Sequence, residues 1–535
     1  MFRMFTRYFS MLRREFSGYN GGKLARDLLA GLTVTAVALP LALAFGVSSG
    51  ADAAAGLITA IIAGLIMSAL AGGFYQISGP TGAMAAILMS VVAKYQLQGV
   101  FLATLMAGVL ILLAGLLKLG RLTSFIPAPV ITGFTSGIAV IIALGQVDNF
   151  FGVTSRGDTA LAKLASYGAL GFSPNWAAVA LGTFVVLFMV FYPKKWNAVV
   201  PASLVAIVAA TAASMLMGLD VAVVGEIPRT LLPENRLELS QVTWEQVTGL
   251  FSPAVSIALL GMIESLLCGA SAGRMADVRM DSNQELIAQG VGNILLPFFG
   301  GIPATAAIAR TSVAIKSGAQ TRLTGVFHAV GLLLAMFVLG PVMSRIPLSA
   351  LAGVLMVTAW RMNEWRSIRY IFSHRFKGPI LKFAVTMVAT VTLDLTMAIV
   401  IGVLMGMALF VCKSAAAEVR ERRETVGGED WAVVNINGPL FFMTSESVEQ
   451  HLARAAEEER VVFMMHGVTM IDYTAVSMLM DFYHRQTAAG KKVLFANARP
   501  AVLSMFQRAG LVQEAGEQVF EFDLSQLPPL EETAK

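Results

Sequence analysis

Two ionisable residues stand inside apolar stretches of this sequence, Glu264 in LLGMIESLLCG and Arg310 in AAIARTSV. On insertion scales a charge at the centre of a bilayer costs at least about 2 to 3 kcal/mol, so residues kept there usually have a task. A carboxyl in that setting can load and release a proton, or hold a small cation. A guanidinium can attract an anion. A third feature points to the same chemistry: YQISGPTGAM at 75–84 places Gly79, Pro80 and Gly82 in a run that otherwise reads as one more apolar helix. Such a break frees backbone N–H groups that lipid cannot satisfy, so it must line a cavity or be buried in protein. Plainer readings exist for each: a packed carboxyl bonded to a neighbour, an arginine snorkelling to the interface, and a kink that lets helices pack closely. Glu285 and Asp394, near the ends of apolar runs, read as interfacial caps.

The elements that must hold these residues are membrane helices. Of 535 residues, 56% are hydrophobic and 14% charged, with a mean hydropathy of +0.70, as in a polytopic membrane protein. A bilayer core needs roughly 20 apolar residues per helix. Spans are expected at 27–47, 53–72, 75–93, 99–118, 129–147, 176–192 and 199–217, then at 252–270, 284–298, 303–316, 321–341, 348–361, 378–392 and 394–412. The basic segment 1–26 reads as cytoplasmic, and the span after it, which has no clear cleavage site, reads as an uncleaved anchor and not a signal peptide. With that end inside, loops after even-numbered spans hold thirteen Lys or Arg and the opposite loops six, which agrees with the positive-inside bias. The net charge of +5 is thereby an orientation signal and implies no nucleic-acid partner. Cys268 and Cys412 lie in apolar runs and suggest neither a disulfide frame nor a metal site. No cofactor is expected, and no catalytic constellation of His, Cys and carboxylates is present.

Two sets of seven spans suggest a repeat. IPAPVITGF at 126–134 matches IPLSALAGV at 346–354 at a separation of 220, and ISGPTGAMAAI at 77–87 matches GGIPATAAIAR at 300–310, with Pro80 opposite Pro303 at 223. An odd number of spans per repeat inverts one half against the other, a design of secondary transporters. A half-helix starting near Pro80 would then face another starting between Pro303 and Arg310. Two facing helix N-termini form an anion site. The 223 separation sets Glu264 opposite Leu41, beside Pro40.

DLLAGLTVTAVALPLALAFG, FYQISGPTGAM, GMIESLLCG, DSNQELIAQGVGN and FFGGIPATAAIARTSV resemble the sulfate permease family of anion transporters over nearly the whole chain. The resemblance implies a 7+7 inverted-repeat fold, all-α in the membrane (27–412), with two half-helices at the midplane and a mobile core moving elevator-like against a gate. It places the anion between the third and tenth spans, with Ser78, Pro80, Thr81 and Gly82 on one half-helix, Ala309 and Arg310 on the other, and Leu41 and Phe45 lining the pocket. Glu264 matches an acidic position linked to cation coupling. Sodium-dependent bicarbonate relatives carry Asp there, so Glu favours protons over sodium. The expected function is secondary active transport of a small anion (sulfate, bicarbonate or C4-dicarboxylate) across the plasma (inner) membrane by a homodimer, with both termini cytoplasmic. A sodium-coupled symporter, an uncoupled exchanger or channel, and a membrane sensor are the competing readings.

Beyond Cys412, 413–429 reads as a charged linker and 430–535 as a small α/β domain. WAVVNIN, PLFFMT, RVVFMMHG and KKVLFAN read as strands, separated by helical stretches. This part resembles a STAS domain, and a regulatory partner could dock on it. Tyr473, in Asp472-Tyr473-Thr474-Ala475, stands where related anti-sigma-factor antagonists carry a phosphorylated Ser, so no phosphoswitch is expected.

Overall fold

The computed structural model describes residues 2–120, 127–157, 160–197, 200–393, 395–414, 418–426 and 428–520. It divides into two compact units, Met1–Leu404 and Met405–Lys535. The first unit opens with α1 (Phe2–Glu15). Its first half contains α2 (Gly21–Ser48), α3 (Ala53–Leu70), the short strand β1 (Ser78–Gly79), α4 (Gly82–Leu116), α5 (Ala128–Gly145), α6 (Val147–Phe151), α7 (Ala160–Leu170), α8 (Trp176–Phe191), α9 (Lys194–Asn197) and α10 (Ala202–Leu216). After α11 (Trp244–Gly249), the second half contains α12 (Phe251–Ala276), α13 (Ser282–Leu295), β2 (Thr305–Ala306), α14 (Ile308–Lys316), α15 (Leu323–Met343), α16 (Leu348–Met362), α17 (Trp365–Ser373), α18 (Lys377–Thr392) and α19 (Leu395–Ser414).

Every segment expected as a span is helical over most of its length, and six helices among the described residues are long and apolar enough to cross a bilayer by length and composition. The expected third and fourth spans form one run, α4, divided at Gln96, where φ 58° and ψ −172° are not helical. The first helix starts at Gly21 and not near 27, because the Asn20 side chain accepts from Lys23 N and caps it there. That extension carries Asp27 into the interior, where it is fully buried. Its carboxylate accepts from Gln320 N at 2.6 Å, Thr321 N at 3.0 Å, Thr321 Oγ1 at 2.6 Å, Thr324 Oγ1 at 2.8 Å and Tyr19 Oη at 2.9 Å. Asp27 thus caps the start of α15 from another helix, where the macrodipole also favours a negative charge. Asp394 lies outside the described residues.

The repeat is visible in the packing. Pro127 and Pro347 cap α5 and α16 with nearly the same backbone, φ −64°, ψ 138° and φ −62°, ψ 134°. Six residues on, Gly133 lies against the backbone of Phe383 in α18, and Gly353 against Gly182 in α8, where an added Cβ would meet the carbonyl oxygen at 2.8 Å. Each half therefore lends its glycine-bearing helix to the helix that follows the matching one in the other half. Similarly α4 approaches α13, where a Cβ on Gly290 would meet Leu112 N at 2.5 Å, and α3 approaches α15, where a Cβ on Gly64 would meet Ala329 Cβ at 3.0 Å. Small residues at these crossings allow the close backbone approach on which membrane helices rely.

The proline-based alignment of the interrupted stretches is slipped. The half-helices start at Gly82 and Ile308, a separation of 226 and not 223. In the second half the break comes from β2 and the turn before it, and Pro303 precedes β2 by two residues. The shift also moves the counterpart of Glu264 from Leu41 to Ala38.

The second unit holds β3 (Glu418–Val426), β4 (Glu429–Leu440), α20 (Ser445–Ala455), β5 (Arg460–Ile471), α21 (Tyr473–Ala488), β6 (Lys492–Ala496), α22 (Pro500–Arg508) and α23 (Leu511–Ala515). The sheet order is β3-β4-β5-β6, antiparallel for the first pair and parallel beyond it. Phe463, Phe482, Phe495 and Phe506 are fully buried between the sheet and its helices. The expected linker at 413–429 contains β3, whose charged alternation is that of a strand with one wet face. WAVVNIN and the start of PLFFMT form the single strand β4, which ends at Leu440.

If the two glycine contacts are equivalent, Gly133→Leu and Gly353→Leu should destabilise the protein similarly, each by at least about 1–3 kcal/mol, because the added atoms meet backbone that cannot move aside. Thermal unfolding of the purified protein in detergent measures this. An unchanged midpoint for either variant would remove the packing equivalence.

Candidate functional site

The two interrupted stretches meet. β1 and β2 pair antiparallel, Ser78 with Ala306 and Gly79 with Thr305, so the half-helices that follow leave the ladder in opposite directions. Ala307 N continues the pairing by donating to Ile77 O at 3.0 Å. The α4 start is capped by Thr81, whose side chain accepts from Met84 N. α14 starts after Ala307, with no side-chain cap. Helix starts leave their first N–H groups without intrahelical partners and carry partial positive charge.

Arg310, on the first turn of α14, is 1% exposed. Its Nη2 donates to Pro80 O at 3.0 Å, joining the second half-helix to the approach of the first. Its Nη1 is buried with no hydrogen-bond partner among the described residues. That nitrogen lies beside Gly79, where an added Cβ would meet it at 2.5 Å. The glycine in SGPTG is therefore a space requirement of the guanidinium as well as a helix breaker. The snorkelling reading of Arg310 does not fit its burial.

Glu264, on α12, is partly exposed. One oxygen, Oε2, accepts from Thr81 Oγ1 at 2.9 Å and Thr305 Oγ1 at 2.6 Å. Each threonine comes from a different interrupted stretch, so the carboxylate ties both to α12. Gly82 opens the first turn of α4, and a Cβ there would collide with Ile142 and come within 3.1 Å of the Phe45 ring. Phe45 thus lies against the α4 start. Leu41, four residues earlier on the same helix face, is buried. Ala309 is exposed on the first turn of α14. Ser78 is turned into the protein, its Oγ accepting from Gln289 Nε2 at 2.7 Å.

The sequence reading passed over the residues that hold the irregular backbone. Gln289, Glu285 and Asn293 of α13 come from the DSNQELIAQGVGN block. Glu285 Oε2 accepts from Gly72 N at 2.9 Å, and Gln289 Nε2 bridges Ser78 and Glu285. Asn293 exchanges two bonds of 2.9 Å with the backbone of Ala304. Thr59 Oγ1 accepts from Ile302 N at 2.8 Å, and Thr311 Oγ1 from Ile77 N at 3.1 Å. Glu285 is therefore not the interfacial cap expected: Asp281 caps α13, and Glu285 is enclosed and holds the turn after α3. Thr305 carried one available signal, a hydroxyl in PATAAIAR a few residues before a helix start.

Fold and site together define a structural class: a helical membrane domain in which two half-helices meet head to head over a carboxylate and an arginine, followed by a small α/β domain. The family described as Sulfate permease family matches residues 24–388, and the chain belongs to it. The STAS domain matches residues 419–522. YvdB of Bacillus subtilis, which carries a provisional sulfate-transporter name, is 34% identical over 95% of this chain and 97% of its own. The bicarbonate transporter BicA of Picosynechococcus is 30% identical over 84% of each chain. The solved transmembrane domain of a cyanobacterial BicA is 30% identical and superposes with a TM-score of 0.64 over 73% of this chain and 98% of that one. Murine Solute Carrier 26 family member A9, an anion transporter solved in an inward-facing state, superposes with a TM-score of 0.82 over 94% of this chain and 90% of that one. At 18% identity it speaks to fold alone.

Gly79→Ala should displace the Arg310 guanidinium with little effect on folding, because the obstructing atom is the end of a flexible side chain. The expected result is anion affinity lowered roughly tenfold, as for Arg310→Ala, from loss of one charge-assisted interaction. Isothermal titration on the folded variants measures it. Unchanged affinity for every anion bound by the wild type would leave Arg310 a packing residue.

Proposed function

We propose that the protein is a secondary active transporter of a small anion, of the sulfate, bicarbonate or C4-dicarboxylate class, in the plasma (inner) membrane, driven by protons through Glu264. Relatives named for sulfate and bicarbonate transport support the substrate class. The observation that carries the coupling is the single carboxylate oxygen of Glu264 held by Thr81 and Thr305, one from each interrupted stretch. An anion seated at the helix starts beside Arg310, Ser78, Pro80, Thr81, Gly82 and Ala309, with Leu41 and Phe45 as apolar wall, would feel the charge of Glu264 directly. Protonation removes that repulsion and neutralises the carboxylate before the loaded core moves elevator-like against the gate. An empty, ionised carrier pays for carrying a naked charge through the barrier and stays put. In this reading the protein works as a homodimer with both termini cytoplasmic, and the STAS domain supports folding or receives a regulatory partner.

Sodium coupling is the second reading. Hydroxyl oxygens of Thr81 and Thr305 converge with a carboxylate, a set of hard oxygen donors of the kind small cations use.

Uptake into proteoliposomes decides between them. An inward gradient of one pH unit is worth about 1.4 kcal/mol, so 1:1 coupling moving no net charge should concentrate substrate about tenfold. Glu264→Gln imitates the protonated carboxyl and should lose that concentration while retaining anion exchange. Accumulation by the Gln variant under a pH gradient would overturn proton coupling through Glu264. A wild type that responds to a sodium gradient and ignores pH would establish the second reading.

A further inference from the structure

Away from the half-helices, an open cavity of about 910 Å³ is lined by α1, the turn after α3, the end of α4 and the turn between α12 and α13. Four cationic side chains line it, Arg7, Arg14, Lys118 and Arg279, against two carboxylates, Glu15 and Asp281. Both carboxylates are already engaged. Glu15 pairs with Arg322 at 2.7 Å, with both side chains almost fully buried, and accepts from Arg322 N as well. Asp281 caps α13 through Asn283 N and Gln284 N and pairs with Arg7 Nε at 2.9 Å. Arg14, Lys118 and Arg279 have no carboxylate partner among the described residues and are exposed. The wall is fixed: Tyr8 Oη donates to Ala69 O, and Arg322 Nη1 donates to the same carbonyl at 2.7 Å, so α1 is pinned to the end of α3.

Like charges gathered round a rigid hollow repel one another unless an anion joins them. We infer that this cavity is a binding site, separate from the transport site, for a phosphate-bearing anion. Arginine forks match phosphate oxygens in geometry and charge, and the volume falls in the range of sites that enclose a nucleotide-sized ligand. The turns that form it follow the second, fourth and eighth spans, the side to which the Lys/Arg bias assigns the cytoplasm. Two sources of the same chemistry reach that side, the headgroup of an acidic phospholipid and a soluble nucleotide. In either case the ligand would join α1 to the ends of α4 and α12.

The test uses the full-length protein in detergent, with dioctanoyl phosphatidylglycerol and ATP as separate probes and dioctanoyl phosphatidylcholine as the zwitterionic control. Binding is read by titration calorimetry and by the shift of the thermal midpoint. The wild type should bind at least one phosphate probe more tightly than the control. The triple variant Arg14→Gln, Lys118→Gln, Arg279→Gln should bind it at least about tenfold more weakly, since each surface cation adds a modest attraction to an acidic headgroup. Its midpoint without probe should not fall, because the three side chains are exposed and their mutual repulsion is removed. The single variant Arg279→Gln gives the same reading with a smaller loss. Preference for the lipid assigns the site to a headgroup, and preference for ATP assigns it to a soluble ligand. If neither probe binds the wild type above the control, or the triple variant binds as the wild type does, the site does not exist.

Discussion

The structure depends on one constraint: backbone polar groups inside a bilayer must find partners within the protein. Breaking two helices at depth to create facing N-termini exposes the stretches at 71–81 and 296–307 to that demand. One helix contributes to both stretches. α13 supplies Glu285 and Gln289 to the first stretch and Asn293 to the second, and the β1–β2 pairs join the two. Because one splint serves both breaks, the half-helix starts have a fixed relation to each other. In the proposed elevator-like movement, an anion held between them would travel with one rigid body.

Fixing the backbone leaves the charge to be managed. Arg310 is enclosed and bonds to a carbonyl, with one nitrogen unpartnered. Removing a guanidinium from water is costly unless another charge offsets it, and Glu264 is the carboxylate near enough to do so. Glu264 modulates this from the side. In the proposed function its charge state would alter the field at the site, and its two hydroxyl contacts tie it to both interrupted stretches. The proposed chemistry of transport and the integrity of the fold would thus share the same hydrogen bonds.

Much of this was legible in the sequence. Composition and loop charge gave the membrane class, SGPTGAM announced the first break, and Glu264 and Arg310 stood out because charge is expensive where they lie. The matched Ile-Pro and glycine positions at 220 correspond to real packing contacts, since proline capping and close helix approach act through local sequence. What stayed hidden depended on distant partners. Asp27 looked like the polar edge of a span, and only the fold brings the start of α15 onto it. Thr305 is one hydroxyl among many until Glu264 is beside it. The 223 alignment followed Pro303 because proline is conspicuous, whereas the second break is made by strand pairing, which leaves no mark in two residues. The charged strand β3 read as a linker because its apolar partners lie across the sheet.

The two halves also show how an inverted repeat can divide labour. At the first break Thr81 caps α4 and donates to Glu264, so its hydroxyl serves helix start and carboxylate together. At the second, Ala307 leaves the α14 start without a side-chain cap, and the hydroxyl that reaches Glu264 comes from Thr305, within β2. The α14 end therefore has more unsatisfied N–H donors, and it also carries the arginine. Elements related by the repeat thus offer unequal positive ends. In the proposed function an anion between them would be drawn towards α14, while the α4 side, through Thr81, stays bound to the Glu264 carboxylate. In that proposal the asymmetry would let one pocket hold an anion and a carboxylate side by side without either occupying the other's place.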